Sequence, residues 1–398
     1  MNFICLRHGS GKQFSPFISI SIFFSAGVFA VFLLPLATHA QSSPAQTILI
    51  GFAGGLGKKT QSNLSYSARD GAQMAVDDAN QRKLLIGGRP AFFKLLVADD
   101  QSDANFARVA AKSFVASGVA GVIGHNTTDT SVAAAPIYAE AGIPQLSPTS
   151  TGRKFTQAGY RTVFQLLGHS DITSIHLAKV SMDMLKARRV AVIDNGTPLG
   201  TALADVYVRQ VKQGGGLVVV RDTVNSKTSD FNTVLSRVKS EGADLLFFTG
   251  VGPQAVAFAQ HCQRLGVNAV LLLSGGAVNL EFPDSGPYPE GTHLLLHGLP
   301  VESRPGYAQF EKSYNKKFDS PLTAYAMFSY DAVGMLIEAL RKNNATDPRA
   351  AVETLHNMQY KGMSGVVSFA IDGSQNNPPY TLYQVSQRKW QVIHTFGG

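Results

Sequence analysis

Two clusters of small hydroxyl residues, Asn126-Thr127-Thr128 and Ser147-Pro148-Thr149-Ser150-Thr151, each close a short apolar run, 119–123 and 143–146. Runs of this length, rich in β-branched side chains, read as strands. A segment with helical character, 130–141, joins them, with Asp129 as an acidic residue near its start. Two strands therefore end at one place, and both ends carry hydroxyls and backbone N–H groups. In an open parallel sheet that edge is where ligands bind. N–H groups at a helix start, beside threonine hydroxyls, suit a small anion such as a carboxylate. The same residue types also cap helices and form turns, and the sequence alone leaves both roles open.

Other patterns carry less. The chain contains no Gly-x-Ser-x-Gly, His-Glu-x-x-His or Cys-x-x-Cys, so hydrolytic or metal chemistry has no residues to perform it, and neither an enzyme nor a cofactor is expected. His125 has no nucleophile pattern or carboxylate beside it, and reads as a packing or hydrogen-bonding residue. Asp99-Asp100 closes a strand and reads as a cap or turn for the next helix rather than a metal pair. The glycine-rich stretch 51–60 fails phosphate-loop spacing, because five residues rather than four stand between Gly51 and Gly57 and Lys59 stands where a hydroxyl should follow the lysine. It reads as a loop over a cleft. Cys5 precedes an apolar run and Cys262 falls in a helical pattern. Cys262 is expected to be a small buried residue, and no disulfide follows.

The elements that position the clusters repeat a rhythm. Strands at 47–52, 91–97, 119–123 and 143–146 alternate with helices at 66–80, 104–115 and 130–141. In the helix 104–115, Phe106, Val109, Ala110 and Phe114 form the expected inward stripe. After a strand at 162–167 the rhythm returns, with strands at 189–193, 217–220, 244–248 and 269–273 between helices at 172–185, 200–213, 230–240 and 253–265. Each set predicts an α/β lobe with a doubly wound parallel sheet. A strand at 292–298, helices at 306–317, 321–341 and 348–358, and strands at 365–370, 381–385 and 390–395 follow. The long helices are placed as further cover on lobe one, and Trp390 as packing. The chain then crosses between lobes three times, near Leu167, Leu299 and residue 377. Lobe one is 41–167 plus 299–376, and lobe two is 168–298 plus 377–398.

The 398 residues are 44% hydrophobic and 16% charged, enough for two cored lobes. The net charge of +8 comes from scattered residues, which excludes a nucleic-acid footprint. Residues 1–40 read as a secretory signal. Arg7, His8 and Lys12 precede the apolar run 14–36, and Thr38-His39-Ala40 fits cleavage before Gln41. An uncleaved anchor is the alternative, given the length of that run.

Ordered matches identify a family. Gly71-Ala-Gln-Met-Ala-Val-Asp-Asp-Ala-Asn80, Ala98-Asp-Asp-Gln101, Val122-Ile-Gly-His125, Ala135-Pro-Ile-Tyr138, Gly142-Ile-Pro144, Leu146-Ser-Pro148, Asp230-Phe231 and Tyr330-Asp-Ala-Val333 run in sequence. Together they resemble the type I periplasmic-binding family, in its leucine/isoleucine/valine-binding branch. The resemblance implies two doubly wound parallel-sheet lobes joined by a three-strand hinge, and a periplasmic solute-binding protein of an ABC importer. It also implies a small amino acid or similar carboxylate as ligand and a permease in the inner membrane as partner; the chain is expected to act as a monomer. It places the ligand carboxylate at Thr128 and Thr151, beside Thr127, and the α-ammonium at the Thr149 carbonyl and an acidic residue of lobe two. That acid falls on Gly275, aligned through the neighbouring stretch 276–282, so this chain departs from the pattern. Val251 and Leu199 stand where aromatic contacts are common. Tyr325 matches an aromatic lining position, although periodicity alone also fits it to a core. An ammonium taken from water without a counter-charge costs several kcal/mol. A non-amino carboxylate, such as an aromatic or keto acid, is therefore the rival ligand, and a ligand sensor docking to a membrane receptor the rival function. Glu281 is the candidate substitute acid, and Gly275 itself a position where φ > 0 is allowed.

Overall fold

The computed structural model describes residues 17–21, 44–57, 63–275 and 288–398. The expected cleavage triplet 38–40 with Gln41, the n-region residues Arg7, His8 and Lys12, most of the run 14–36, loop residues 58–60, and the stretch 276–282 with Glu281 lie outside them. Among the described residues the first sheet holds six strands: β1 (Gln46–Gly54), β2 (Leu85–Ile86), β3 (Arg89–Asp99), β4 (Gly121–Ile123), β5 (Gln145–Ser147) and β6 (Val163–Gln165). Their order is β2-β3-β1-β4-β5-β6. All neighbours pair in parallel except the short β2, which runs antiparallel to β3. Two helices, α1 (Asn63–Gln81) and α2 (Ala104–Ser117), are followed by α3 (Thr128–Ala141), which connects β4 to β5. The sheet is covered on both faces. Ala53, Val122, Phe114 and Tyr138 form a core with α2 and α3 on one side.

The second sheet opens after α4 (Ser170–Lys179) with β7 (Arg189–Asp194), β8 (Leu217–Thr223), β9 (Leu245–Phe248), β10 (Val270–Ser274) and β11 (His293–His297), and α5 (Pro198–Gln213), α6 (Asn232–Ser240) and α7 (Gly252–Arg264) connect its parallel strands. The chain then adds α8 (Tyr307–Lys317), α9 (Ala324–Asn343) and α10 (Pro348–Asn357), a small hairpin of β12 (Tyr360–Gly362) and β13 (Gly365–Val367), and finally β14 (Tyr380–Ser386) and β15 (Lys389–Phe396). The second sheet has the order β15-β14-β11-β10-β9-β7-β8. Its last two strands are antiparallel, an edge on an otherwise parallel sheet. Gln387 and Arg388, at φ 53° and 62°, turn them into a hairpin. Successive side chains of β7 are buried on alternate faces. Ala191 and Ile193 meet α6 and α7 on one face, and Val190 and Val192 meet α4 and α5 on the other. Full burial of such a side chain is worth roughly 1.5–3 kcal/mol.

The long helix α9 covers the first sheet beside α1, where Leu336 and Leu340 join Ile50, Phe52 and Val76 in one core. The two helices approach closely: a Cβ on Gly71 would lie 2.0 Å from the Ala326 carbonyl oxygen. One expectation is corrected in α2. Its buried residues are Ala107, Ala110, Ala111 and Phe114, while Phe106 and Val109 are 46% and 64% exposed. The small alanines lie flat on the sheet, and the stripe is rotated by one position from the one that the larger side chains suggest. Asp103, not Asp99 or Asp100, caps α2, accepting from Asn105 N and Phe106 N.

Three stretches connect the sheets, and they are tied to one another. Gln165 N donates to Gly373 O at 2.8 Å, and Gly298 N donates to Pro379 O at 2.8 Å. Thr381 Oγ1 donates to Gly298 O at 2.7 Å. Tyr380 OH donates to His169 O at 3.3 Å.

Candidate functional site

The C-terminal end of β4 runs into Gly124, His125 and Asn126, and then into Thr127, the N-cap of α3. Thr127 Oγ1 accepts from Thr130 N at 3.2 Å and lies 2.7 Å from Thr130 Oγ1. Thr130 Oγ1 in turn accepts from Thr127 N at 3.3 Å. The Thr127 hydroxyl is thus engaged in a capping box. The first intrahelical bond of α3 runs from Ser131 N to Thr127 O at 3.0 Å, so the Thr128 and Asp129 N–H groups precede the ladder and point out of the helix end.

The end of β5 is stitched to this helix start. Thr149 Oγ1 donates to Asn126 O at 2.8 Å. Gly152 N donates to Thr128 Oγ1 at 3.1 Å, which leaves the hydroxyl proton of Thr128 to donate elsewhere. Ser131 Oγ and Ser147 Oγ both reach the His125 carbonyl, at 2.9 and 3.0 Å, and Ser150 Oγ lies 2.8 and 2.7 Å from those two hydroxyls. Thr151 follows, part-buried, its carbonyl accepting from Ser170 N at 2.8 Å where α4 begins. The two hydroxyl clusters thus form one cross-tied surface.

Beneath it lies a buried relay. His125 Nδ1 sits 2.7 Å from Asp100 Oδ2, and Nε2 sits 3.1 Å from Tyr138 OH. Burial, then the Asp100 charge, hold the Tyr138 phenol well above its ordinary value. His125 and Asp100 are 0% and 1% exposed, so the imidazole is a fixed hydrogen-bonding post, as expected, but it does have a carboxylate beside it, contrary to the sequence reading, because the fold brings Asp100 from 25 residues away. Asp100 also accepts from Ser102 N at 2.9 Å, and Asp99 accepts from Leu56 N and Gln101 N at 2.8 and 2.9 Å. The pair therefore makes turns and holds the histidine instead of capping the helix. Tyr325 lies in the first turn of α9, which Thr323 caps. It is part-buried and packs on the first core, and burial raises its phenol pKa.

The second lobe presents a different surface at its strand ends. Leu199, in the first turn of α5, is 50% exposed, and Val251, the N-cap of α7, is 49% exposed. Gly275 follows β10. Its φ is not positive, and among the described residues a Cβ there would meet His297 Cδ2 and Leu296 Cδ2, each at 3.8 Å. The backbone therefore admits a side chain, and the glycine is not required by φ. Asp194, a carboxylate at the end of β7 in the same sheet, is fully buried. Burial acts to raise its pKa, but hydrogen bonds from Arg221, Thr223, Gly196 N and Thr201 bring it below the ordinary value. It is committed to that cluster.

Sequence reasoning passed over one residue of this surface. Asn126 was read only as part of a hydroxyl-rich strand end, yet its side chain lies over the end of β1, where a Cβ on Gly54 would come within 2.8 Å of Nδ2. An amide next to two threonines is the only signal the sequence offered. Cys262 is buried as expected, and burial pushes its thiol up to about 12. Trp390 packs 5.7 Å from the Tyr288 ring, centroid to centroid.

A family model described as periplasmic binding protein matches residues 36–389. The Leu/Ile/Val-binding protein homolog 1 of Brucella suis biovar 1 is 28% identical over 336 residues, covering 83% of this chain and 88% of that protein. Two solved structures share the fold. One is the branched-chain amino acid transporter substrate-binding protein LivJ from Streptococcus pneumoniae in complex with isoleucine, with TM-score 0.75, 20% identity, and coverage of 89% of this chain and 99% of that one. The other is a solute-binding protein of an ABC transporter from Rhodopseudomonas palustris HaA2 in complex with p-hydroxybenzoic acid, with TM-score 0.75, 19% identity, and coverage of 88% and 97%.

Proposed function

The chain belongs to the periplasmic binding protein family, whose members bind solutes for transporters and are not enzymes, and from that premise we propose that it captures a small carboxylate between its lobes and delivers it to an ABC permease in the inner membrane. The observation that carries this reading is the cross-tied surface of Thr128, Thr149 and Thr151 at the start of α3. It offers backbone N–H groups, a helix N-terminus and a hydroxyl with a proton to donate, all suited to a carboxylate. Export through the leader at 1–40 and action as a monomer complete the proposal.

Closure about the three connecting stretches follows from the division of the site between lobes. Contacts made by both lobes exist only when they meet, so ligand shifts the population toward the closed form by its differential affinity. The ligand class is narrowed by the second lobe. Leu199, Val251 and Gly275 supply no charge, and Asp194 is locked to Arg221. This supports a carboxylate that lacks an ammonium over an α-amino acid, although the Brucella relative is named for leucine, isoleucine and valine. A thermal-shift screen of leucine, isoleucine, valine and phenylalanine against their deaminated and keto-acid analogues tests it, since a ligand held by the folded chain raises its melting temperature. The amino-free acids are expected to give the larger shifts. Larger shifts from every amino acid than from its analogue would defeat the ligand class and point to an ammonium partner.

A further inference from the structure

We propose, on the reading of the cleft as a carboxylate site, that the ligand also carries a hydroxyl group and that the Asn126 amide reads it. Both ends of that amide, Nδ2 and Oδ1, are shielded from solvent, and neither finds a hydrogen-bond partner among the described residues. The backbone that carries the amide is held on both sides. Its carbonyl accepts from Thr149 Oγ1 at 2.8 Å, and the next residue is the cap of α3. Neighbouring hydroxyls do not serve it: Thr127 is engaged with Thr130 and Thr149 with the Asn126 carbonyl, and Thr128, which accepts from Gly152 N, keeps its proton for the carboxylate. The amide lies over Gly54, whose missing side chain makes the room.

A shielded amide without a partner is destabilising. A leucine would fill similar volume without that cost, so the asparagine makes sense as one half of a contact completed by ligand. The chemistry of the other half follows. The amide carries no formal charge, so it does not compensate a desolvated ammonium. A hydroxyl can accept from Nδ2 or donate to Oδ1. The position, beside Thr128 and at the end of β1, places this contact on the body of a ligand whose carboxylate sits at the α3 N-terminus. The ligand class is therefore a hydroxy-carboxylate, with its apolar part toward Leu199 and Val251. A site that hydrogen-bonds a hydroxyl rejects the analogue lacking it far more steeply than an apolar pocket discriminates by size.

Calorimetric titration of two acid pairs tests this: 3-(4-hydroxyphenyl)propionate against 3-phenylpropionate, and 2-hydroxy-4-methylpentanoate against 4-methylpentanoate. The wild type is expected to bind the hydroxy acid of at least one pair about tenfold or more tightly than its deoxy partner. Asn126→Leu is expected to erase that preference while its ligand-free melting temperature stays level or rises, because two unpaired polar atoms are gone. A structural asparagine would instead lower it. Equal or tighter binding of the deoxy acid in both pairs, binding of none of the four, or an Asn126→Leu protein that keeps the preference would overturn the proposal. Failure of the carboxylate site is told apart by Thr128→Val: in that case the variant binds every acid as the wild type does. If only the hydroxyl assignment fails, the variant weakens both members of each pair alike and the wild type shows no preference.

Discussion

Thr128 serves the fold and the ligand with different atoms. Its oxygen accepts from Gly152 N, and its proton remains to donate to a carboxylate. Thr128→Val removes both, so ligand binding should weaken by about 1.5–3 kcal/mol, the range for a hydrogen bond to a charged group, while the capping box of Thr127 holds α3 in place. Thr151→Val should do the same. Unchanged calorimetric affinity for both variants would move the carboxylate elsewhere. Gly275 makes the complementary test in the second lobe. Among the described residues its neighbours stand at ordinary contact distance from an added Cβ, so Gly275→Asp should fold with a melting temperature near that of the wild type. The added charge would repel a carboxylate and need desolvation on closure. Lost affinity for amino-free acids, with or without a gain for amino acids, is the expected result; retained affinity would show that Gly275 does not face the ligand.

At the scale of elements, what the sequence revealed and what it hid have physical reasons. The alternation of strands and helices was legible because buried parallel strands read as short apolar runs. The face of α2 was not, because two helical stripes share Ala110 and Phe114, and side-chain size favours the one containing Phe106 and Val109. Close approach of alanines to the sheet selects the other. The site was legible as clustered hydroxyls, but which of them are engaged in caps depends on tertiary bonds: Thr127 pairs three residues away, whereas Thr128 and Thr149 pair across 24 and 23 residues. Gly71 in α1 predicts a measurable contact. Gly71→Ala would put a methyl group 2.0 Å from the Ala326 carbonyl, forcing α1 and α9 apart at a cost of about 1–3 kcal/mol. Chemical denaturation should show it as a lower midpoint with an unchanged slope. A variant as stable as wild type would mean that the helices separate freely.

The molecule as a whole has three connecting stretches, and histidines gather around them. His297, at the end of β11, has Nε2 3.5 Å from Thr173 Oγ1 and its ring 4.7 Å from Tyr380, centroid to centroid. His176 packs on the same tyrosine at 4.9 Å. Burial, then the neighbouring His176, depress the His297 pKa from 6.5 to about 4. His169, His176 and His293 are lowered as well, each chiefly by burial. A base depressed in the folded state is neutral there while its unfolded counterpart takes up a proton. Stability is therefore complete above the unfolded value and declines as pH falls from about 6.5 to 4, after which this group adds no further slope. For His297 the loss is at most about 3 kcal/mol. Carboxylates such as Asp194, whose pKa is lowered, also lose stability in acid, but at pH values below their ordinary range. His297→Phe separates the contributions, since a phenyl ring keeps the contact with Tyr380 and cannot titrate. Urea midpoints at pH 7, 5.5 and 4.5 should fall less for this variant than for the wild type, with the difference appearing above the carboxylate range. Parallel loss in the two proteins would mean that the imidazole at the junction of the lobes is protonated in the folded chain without cost, and that the acid sensitivity lies in other groups.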